Sequence, residues 1–231
     1  QNNLDYSSSV ISENTVFSST STGTAYSLDI DGGTANWNIE IDNSFVKPTT
    51  SSNLVYFGTI KGIQALDKEN GAIKWEEELG KISSNLIIHK NNLIVGTSEG
   101  KIYCLDAKQG NQKWVRELSD PVYLSEIDGN IIYAGSGKTC YAIDLNNGNE
   151  IWDFQTEGII SSAPRKHKEN LYFGSWDGKL YCINAKNAEK EWDFQTSWGI
   201  DSTPVAYNNT VFVGSMDNNF YALDANKGKQ I

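Results

Sequence analysis

The sequence is poor in several things that would have declared a chemistry. Its 231 residues include three cysteines, four prolines, two histidines and one methionine. Three cysteines, an odd number, make no disulfide framework. No His-x-x-x-His pair, no Gly-x-Ser-x-Gly elbow and no phosphate-binding glycine loop occurs. Positive charge is also short: 19 Lys and Arg stand against 29 Asp and Glu, a net charge of −10 with a pI near 4.7. A nucleic-acid binder needs a cationic footprint, and none is visible, so a nucleic-acid partner is excluded. The acidity reads as solubility, with attraction for cations or a basic partner as the sharper reading. No apolar run approaches the length of a membrane span. No charged, apolar, small-residue leader opens the chain, which excludes little, since Gln1 can follow a cleavage. What remains is 39% hydrophobic and 21% charged, a composition that predicts a folded, soluble protein with a sizeable core.

What is present is repetition. The segment "ALDKENGAIKW" (65–75) recurs in frame as "SLDIDGGTANW" (27–37), "CLDAKQGNQKW" (104–114) and "AIDLNNGNEIW" (142–152). "CINAKNAEKEW" (182–192) keeps the frame with Asn184 for Asp and Ala188 for Gly, and "ALDANKGKQI" (222–231) keeps it to Ile231. The tryptophans fall at 37, 75, 114, 152 and 192, in steps of 38, 39, 38 and 40. A second marker, the small residue closing a β-rich run, falls at Ser19, Gly58, Gly96, Gly135, Gly174 and Gly214 in the same register. Ten residues before each lies Ser9, Pro48, Leu86, Ser125, Pro164 or Pro204. Six repeats follow, at approximately 5–41, 42–79, 80–118, 119–156, 157–196 and 197–231, read as one domain over 1–231. A period near 40 means a solenoid, a helical array or a propeller.

Each repeat reads as strands. "LVYFGT", "IQALD" and "KWEEEL" in the second repeat are short, rich in β-branched and aromatic residues, and bounded by Gly, Asn and Asp. Asn70-Gly71 and Asn147-Gly148 read as hairpin turns between third and fourth strands. No long stretch carries a helical period. Four short antiparallel strands per repeat make a propeller blade, so the fold class is all-β, a β-propeller of six four-stranded blades. Pro48, Pro164 and Pro204 are expected in the first strand, where an unpaired edge tolerates a missing N–H, and Pro121 in a loop between blades.

The motif explains its own spacing as packing. The position two before the acid is Ser27, Ala65, Cys104, Ala142, Cys182 or Ala222, always small. The position eight after the acid is Trp37, Trp75, Trp114, Trp152 or Trp192 wherever the chain reaches it. A large flat side chain and an obligatorily small site predict an indole lying across a small residue of a neighbouring blade. The glycine permits the turn, and the acid hydrogen-bonds the turn backbone.

Ala-x-Asp-x-x-x-Gly-x-x-x-Trp resembles the tryptophan-docking repeat of the PQQ-like β-propellers, over essentially all of residues 5–231. That family includes the quinoprotein alcohol dehydrogenases and the propeller lipoprotein of the bacterial outer-membrane assembly machine. The resemblance implies blades locked through the tryptophans. Rings of the family have seven or eight blades, so six copies imply either a smaller ring or part of a larger one. Ile231 stops just before a sixth fourth-strand, and the sixth docking tryptophan is absent.

Candidate chemistry is sparse. Cys104 and Cys182 occupy the small position and read as buried inert thiols, with Cys140 on the third strand of the fourth repeat. The three lie in separate repeats, without metal-ligand spacing. His89 and His167 sit at equivalent hairpins and read as surface turn residues. "DIDGG" (29–33) has the start of a calcium loop but no later acidic ligands, and reads as a hairpin turn.

Trp176 and Trp198 are not asked for by the motif. Trp176 lies between the second and third strands of the fifth repeat, and Trp198 in the loop to the sixth. Both loops project from one face of a blade, the face that carries ligand sites in related propellers. Asp177, Asp201, Met216 and Asp217 join them there. An exposed aromatic pair with carboxylates suits a flat ligand, a sugar or a peptide; local loop packing, one indole covering the other, is the plainer reading. The expected role is a noncatalytic scaffold that binds a protein or small-molecule partner through this loop-rich face, with no cofactor and no catalytic or metal residue. The alternatives are a quinoprotein dehydrogenase using PQQ with Ca²⁺, which the resemblance admits although no Cys-Cys pair is present, and carbohydrate binding at the cell surface. An extracytoplasmic or cell-surface location is implied by the resemblance alone, and the Asn-Asn-Thr sequon at 208–210 adds one weak match.

Overall fold

The computed structural model describes residues 8–231, so the first three residues of the repeat expected at 5–41 lie outside the described residues. The chain divides into two compact units, Gln1–Glu117 and Leu118–Ile231. Among the described residues all regular structure is strand, and each unit holds three antiparallel sheets whose strands follow chain order.

In the first unit the sheets are β1 (Val10–Ser12), β2 (Thr15–Ser19), β3 (Thr24–Asp29) and β4 (Ala35–Glu40); then β5 (Thr49–Thr50), β6 (Leu54–Gly58), β7 (Gly62–Asp67) and β8 (Ile73–Glu78); then β9 (Ile87–His89), β10 (Asn92–Gly96), β11 (Lys101–Asp106) and β12 (Gln112–Glu117). In the second unit they are β13 (Val122–Asp128), β14 (Ile131–Ser136), β15 (Thr139–Asp144) and β16 (Glu150–Gln155); β17 (Arg165–His167), β18 (Asn170–Gly174), β19 (Lys179–Asn184) and β20 (Lys190–Gln195); and β21 (Val205–Tyr207), β22 (Thr210–Gly214) and β23 (Phe220–Asp224). The sixth sheet therefore has three strands. Gln230 makes one bridge to Leu223 where a fourth would begin.

The strand pattern follows from burial. The second strands β6, β10, β14 and β18 are largely apolar and buried on both faces, as in "LVYFG" of β6. The fourth strands β4, β8, β12 and β16 alternate exposed and half-buried, with the motif tryptophan at a half-buried position. All four prolines stand immediately before a first strand: Pro48 before β5, Pro121 before β13, Pro164 before β17 and Pro204 before β21. They were expected inside three of those strands and in one loop. First strands of only two to seven residues begin just after the proline, where its fixed φ and missing N–H disturb no ladder.

The glycine that closes the second strand has a packing reason. A Cβ on Gly58 would meet Ile82 Cγ2 at 3.0 Å, on Gly135 Ile160 Cγ2 at 2.6 Å, and on Gly174 Ile200 Cγ2 at 2.1 Å. Each of these buried isoleucines comes from the loop leading to the next sheet.

The turn between third and fourth strands is longer than a two-residue hairpin. Gly71 N donates to Asp67 O and Asp67 N to Ala72 O, each at 2.9 Å. The Asp67 carboxylate accepts from the Glu69 and Asn70 amides at 2.9 and 3.3 Å. Asp106, Asp144, Asn184 and Asp224 repeat the arrangement with their own turn amides. The motif glycine position enters the left-handed region, with φ of +74° at Gly71, +80° at Gly110, +74° at Gly148 and +64° at Gly228. Ala188 adopts it with a side chain, at +60°.

Candidate functional site

The motif tryptophans and the small residues meet within one sheet. Ala65 pairs across the strands with Trp75, Cys104 with Trp114, Ala142 with Trp152, Cys182 with Trp192 and Ser27 with Trp37. The surface that Trp37, Trp75, Trp152 and Trp192 meet in the next sheet is instead the motif turn: the carbonyl after the motif acid (Asn184 in the fifth repeat) and, for Trp37, Trp75 and Trp192, the motif glycine. Trp37 Nε1 donates to Lys68 O at 2.9 Å, Trp75 Nε1 to Ala107 O at 3.2 Å, Trp152 Nε1 to Ala185 O at 3.1 Å and Trp192 Nε1 to Ala225 O at 3.0 Å. A Cβ on Gly71 would stand 2.9 Å from the Trp37 ring, and one on Gly110 or Gly228 would be as close to Trp75 or Trp192. Trp114 lies half-buried on β12, and Ala222 is half-buried on β23 opposite Phe212.

A tyrosine joins three of these four contacts, and the repeat motif did not reveal it. Tyr56 packs on Trp75 with centroids 5.8 Å apart, Tyr133 on Trp152 at 5.7 Å and Tyr172 on Trp192 at 5.8 Å. Their hydroxyls donate to the same three carbonyls as the indoles, at 2.8, 3.4 and 3.2 Å. The signal was the aromatic at the third place of "LVYFG", "IIYAG" and "NLYFG". The three thiols are buried, and burial pushes Cys104 up to about 11 and Cys182 up to about 12, with Cys140 higher still. None is a nucleophile at neutral pH.

On the loops, Trp176 is 52% exposed, Trp198 66% and Met216 46%. Trp176 and Trp198 line one shallow depression of about 200 Å³ with Asp177. Their rings are not stacked on each other: Trp176 Nε1 instead donates to Ser161 Oγ at 2.8 Å. Met216 adjoins through its backbone, its N–H donating to Gly199 O at 2.9 Å. Asp201 is exposed and holds no hydrogen bond or ion pair among the described residues.

The other two carboxylates are committed to the fold. Asp177 Oδ2 accepts from the amides of Glu157 and Gly158, at 3.1 and 3.2 Å, and from the Tyr181 hydroxyl at 2.8 Å. Asp217 accepts from the Ser197 amide at 3.0 Å and the Tyr221 hydroxyl at 2.8 Å. Burial works to raise the Asp217 carboxyl, and Tyr221 with the Ser197 and Asn219 amides outweighs it, holding it below the usual range. Each aspartate thus pins the loop from the preceding sheet. The tyrosine four residues after each acid, in "DGKLY" and "DNNFY", was the available signal. These residues do not fit a calcium–quinone centre: two of the three carboxylates are occupied by loop amides and tyrosines, and no group of three or more His, Cys, Asp and Glu able to hold a metal occurs among the described residues.

Six repeats of one antiparallel sheet, with Trp37, Trp75, Trp152 and Trp192 each presented to the motif turn of the next sheet, define a β-propeller of PQQ-like repeats. The chain belongs to the family whose model is described as outer membrane protein assembly factor BamB, which matches residues 3–140 and 136–231. It is similar to BamB of Shewanella oneidensis, 21% identical over 190 residues that cover 74% of this chain and 48% of that protein. It is also similar to BamB of Pseudomonas aeruginosa, 27% identical over 145 residues covering 57% and 38%. The chain spans about half, or less, of the length of these curated relatives. Among solved structures, BamB from Moraxella catarrhalis superposes with a TM-score of 0.83 at 20% identity, over 94% of this chain and 72% of that one. The computationally designed Ika8 protein gives 0.82 at 19%, over 98% and 73%. At these identities the two structures show the fold alone.

Proposed function

We propose that this chain is a noncatalytic protein-binding scaffold that engages a partner through the loops around Trp176 and Trp198. The observation that carries the reading is a division of labour on those loops. The carboxylates of Asp177 and Asp217 are spent on holding the loops, while Trp176, Trp198 and Met216 are left open to solvent. Exposed aromatics on a rigid support are the anchors of protein interfaces, because they bury large area with little rotamer entropy lost. Asp201 adds a charge at the rim. The family description, an outer membrane protein assembly factor, supports a partner that is itself a protein and an extracytoplasmic place of work. The reading requires no cofactor.

The test is a photo-crosslinking amino acid placed at 176 or 198 in living cells. A discrete protein adduct at both positions, absent when the probe stands at exposed Ile73 on β8, is the expected result. Equal labelling at all three, or none, would overturn the reading. Calorimetry with pyrroloquinoline quinone and Ca²⁺ tests the dehydrogenase alternative in parallel: saturable heat would replace the scaffold with an enzyme.

A further inference from the structure

The turns at the opposite strand ends from the Trp-bearing loops frame openings of another kind. In the first unit, a cavity of about 690 Å³ lies between the β5–β8 and β9–β12 sheets. Its floor is apolar, made by Leu54, Tyr56, Ile88 and Ala107. Its rim carries Lys74, Lys90 and Lys108 with a single acid, Asp67. Lys74 is taken by Asp67 at 3.2 Å. The Lys90 and Lys108 ammonium groups hold no ion pair or hydrogen bond among the described residues. The rim is therefore positive in a chain whose net charge is −10.

The second unit shows what the same address looks like when closed. Between the β17–β20 and β21–β23 sheets a cavity of about 270 Å³ lies against Tyr172 and Ala225, the counterparts of Tyr56 and Ala107. His167 Nε2 stands 2.8 Å from the Asn208 carbonyl and straps its mouth. Hairpin register puts Ser51 in the place of His167, since Thr49 faces Tyr56 as Arg165 faces Tyr172. Lys90 stands at the turn position of Asn208, with φ of +56° and +54°. In the motif frame Lys108 replaces Asn226, and Lys74 replaces Glu191. One short residue opens the cleft, and two lysines unpaired among the described residues, Lys90 and Lys108, charge it.

We propose that the cleft between the β5–β8 and β9–β12 sheets binds a small organic anion, a phosphate or carboxylate on an apolar body. The charged end sits between Lys90 and Lys108, the body lies over Ile88 and Tyr56, and the Ser52 hydroxyl adds a donor, while the Ser51 hydroxyl donates to Tyr56 at 3.0 Å. The site shares no residue with the loops around Trp176 and Trp198, so either reading can fail without the other.

Phenyl phosphate and benzoate, titrated into the isotope-labelled chain by amide NMR, are the probes. Saturable shifts confined to residues 51–53, 90, 91 and 108 are expected for at least one of them, weakening as salt is added. Inorganic phosphate and phenol, the two halves of the first probe, should each bind roughly tenfold more weakly. Lys90→Met with Lys108→Met, and separately Ser51→His, should each lower affinity roughly tenfold. Ser51→His is the sharper variant, because histidine already occupies that place in the β17–β18 hairpin and the fold tolerates it. No saturable shift with either probe, shifts spread over lysines elsewhere, equal affinity for inorganic phosphate, or undiminished binding by both variants would overturn the assignment.

Discussion

The Tyr56 hydroxyl and the Trp75 indole N–H donate to one acceptor, the Ala107 carbonyl of the next sheet, at 2.8 and 3.2 Å. Two rings packed on each other thus deliver two donors to a single backbone oxygen 51 and 32 residues along the chain. The same pair of donors recurs at Ala185 and Ala225, which makes it a feature of the repeat. In the first repeat Phe17 packs on Trp37, and Lys68 O receives the indole alone.

Tyr56→Phe should therefore cost about 0.5–1.5 kcal/mol, the net worth of a buried neutral hydrogen bond. Trp75→Ala should cost about 3–5 kcal/mol, as the loss of a large packed ring. Tyr56→Phe combined with Trp75→Phe should cost more than the sum of the single changes, because only the double variant strips the Ala107 carbonyl of both side-chain donors. Urea unfolding of the wild type, Tyr56→Phe, Trp75→Phe and the double variant measures the coupling, with Trp75→Ala beside them. Strict additivity, or a Trp75→Ala loss under about 1 kcal/mol, would remove the docking account.

The repeat, the strand count and the tryptophan spacing were legible because they are local: period, alternation and turn residues lie within one stretch of about 40 residues. The partner of the indole was not. The small residue before the acid looked like its seat, yet Ala65 lies opposite Trp75 in its own sheet. The seat is Gly110, which the sequence presents only as a turn former. Contacts between sheets leave no periodic trace beyond the repeat itself, so their geometry has to be seen. The hydrogen bonds of the loop acids were hidden for a related reason. Asp177 and Asp217 in a polar loop look free, and only the structure shows the amides of Glu157, Gly158 and Ser197 reaching back to them.

Gly174 and Gly214 hold the same place in adjacent repeats but should respond differently to alanine. A Cβ on Gly174 would stand 2.1 Å from Ile200 Cγ2 and 2.9 Å from the Ile200 carbonyl oxygen. On Gly214 the nearest atom is Ser202 Oγ at 3.6 Å, an ordinary contact. Gly174→Ala should lose about 1–3 kcal/mol by overpacking. Gly214→Ala should be neutral within about 0.5 kcal/mol. Thermal denaturation of both, side by side, decides it; equal losses would mean that backbone conformation, not the isoleucine, demands glycine there.

Ala188 is the one motif turn closed by a residue with a side chain, at φ +60° beside Trp152. Left-handed backbone costs an L residue about 1–2 kcal/mol. Glycine would relieve this and give back about 0.4–1 kcal/mol in unfolded-chain entropy. Ala188→Gly should thus stabilise the protein by roughly 0.5–1 kcal/mol. A destabilised variant in chemical unfolding would show that packing of the Ala188 methyl against the buried cluster it shares with Trp152 outweighs the strain.

The docking tyrosines also set an alkaline limit. Burial pushes Tyr133 and Tyr172 up to about 12, and raises Tyr56 as well, from an ordinary value of 10.0. Raised folded values mean that above pH 10 the unfolded chain releases these protons first. The unfolded state then binds fewer protons than the native one, and stability falls with pH. The contribution is complete below pH 10 and is lost between about 10 and 12, where both the phenol donors to Ala185 and Ala225 and the packing on Trp152 and Trp192 depend on neutral rings. Unfolding by tryptophan fluorescence and phenolate absorbance, followed together through that window, should show one cooperative step in which the buried tyrosines ionise as the indoles become exposed. Phenolate beyond that of exposed tyrosines such as Tyr207, measured as the difference from Tyr133→Phe with Tyr172→Phe, appearing without loss of the folded fluorescence would mean that the hydroxyls are not held in the blade contacts. In Tyr133→Phe with Tyr172→Phe the step should move to higher pH, even though that variant is less stable at pH 7.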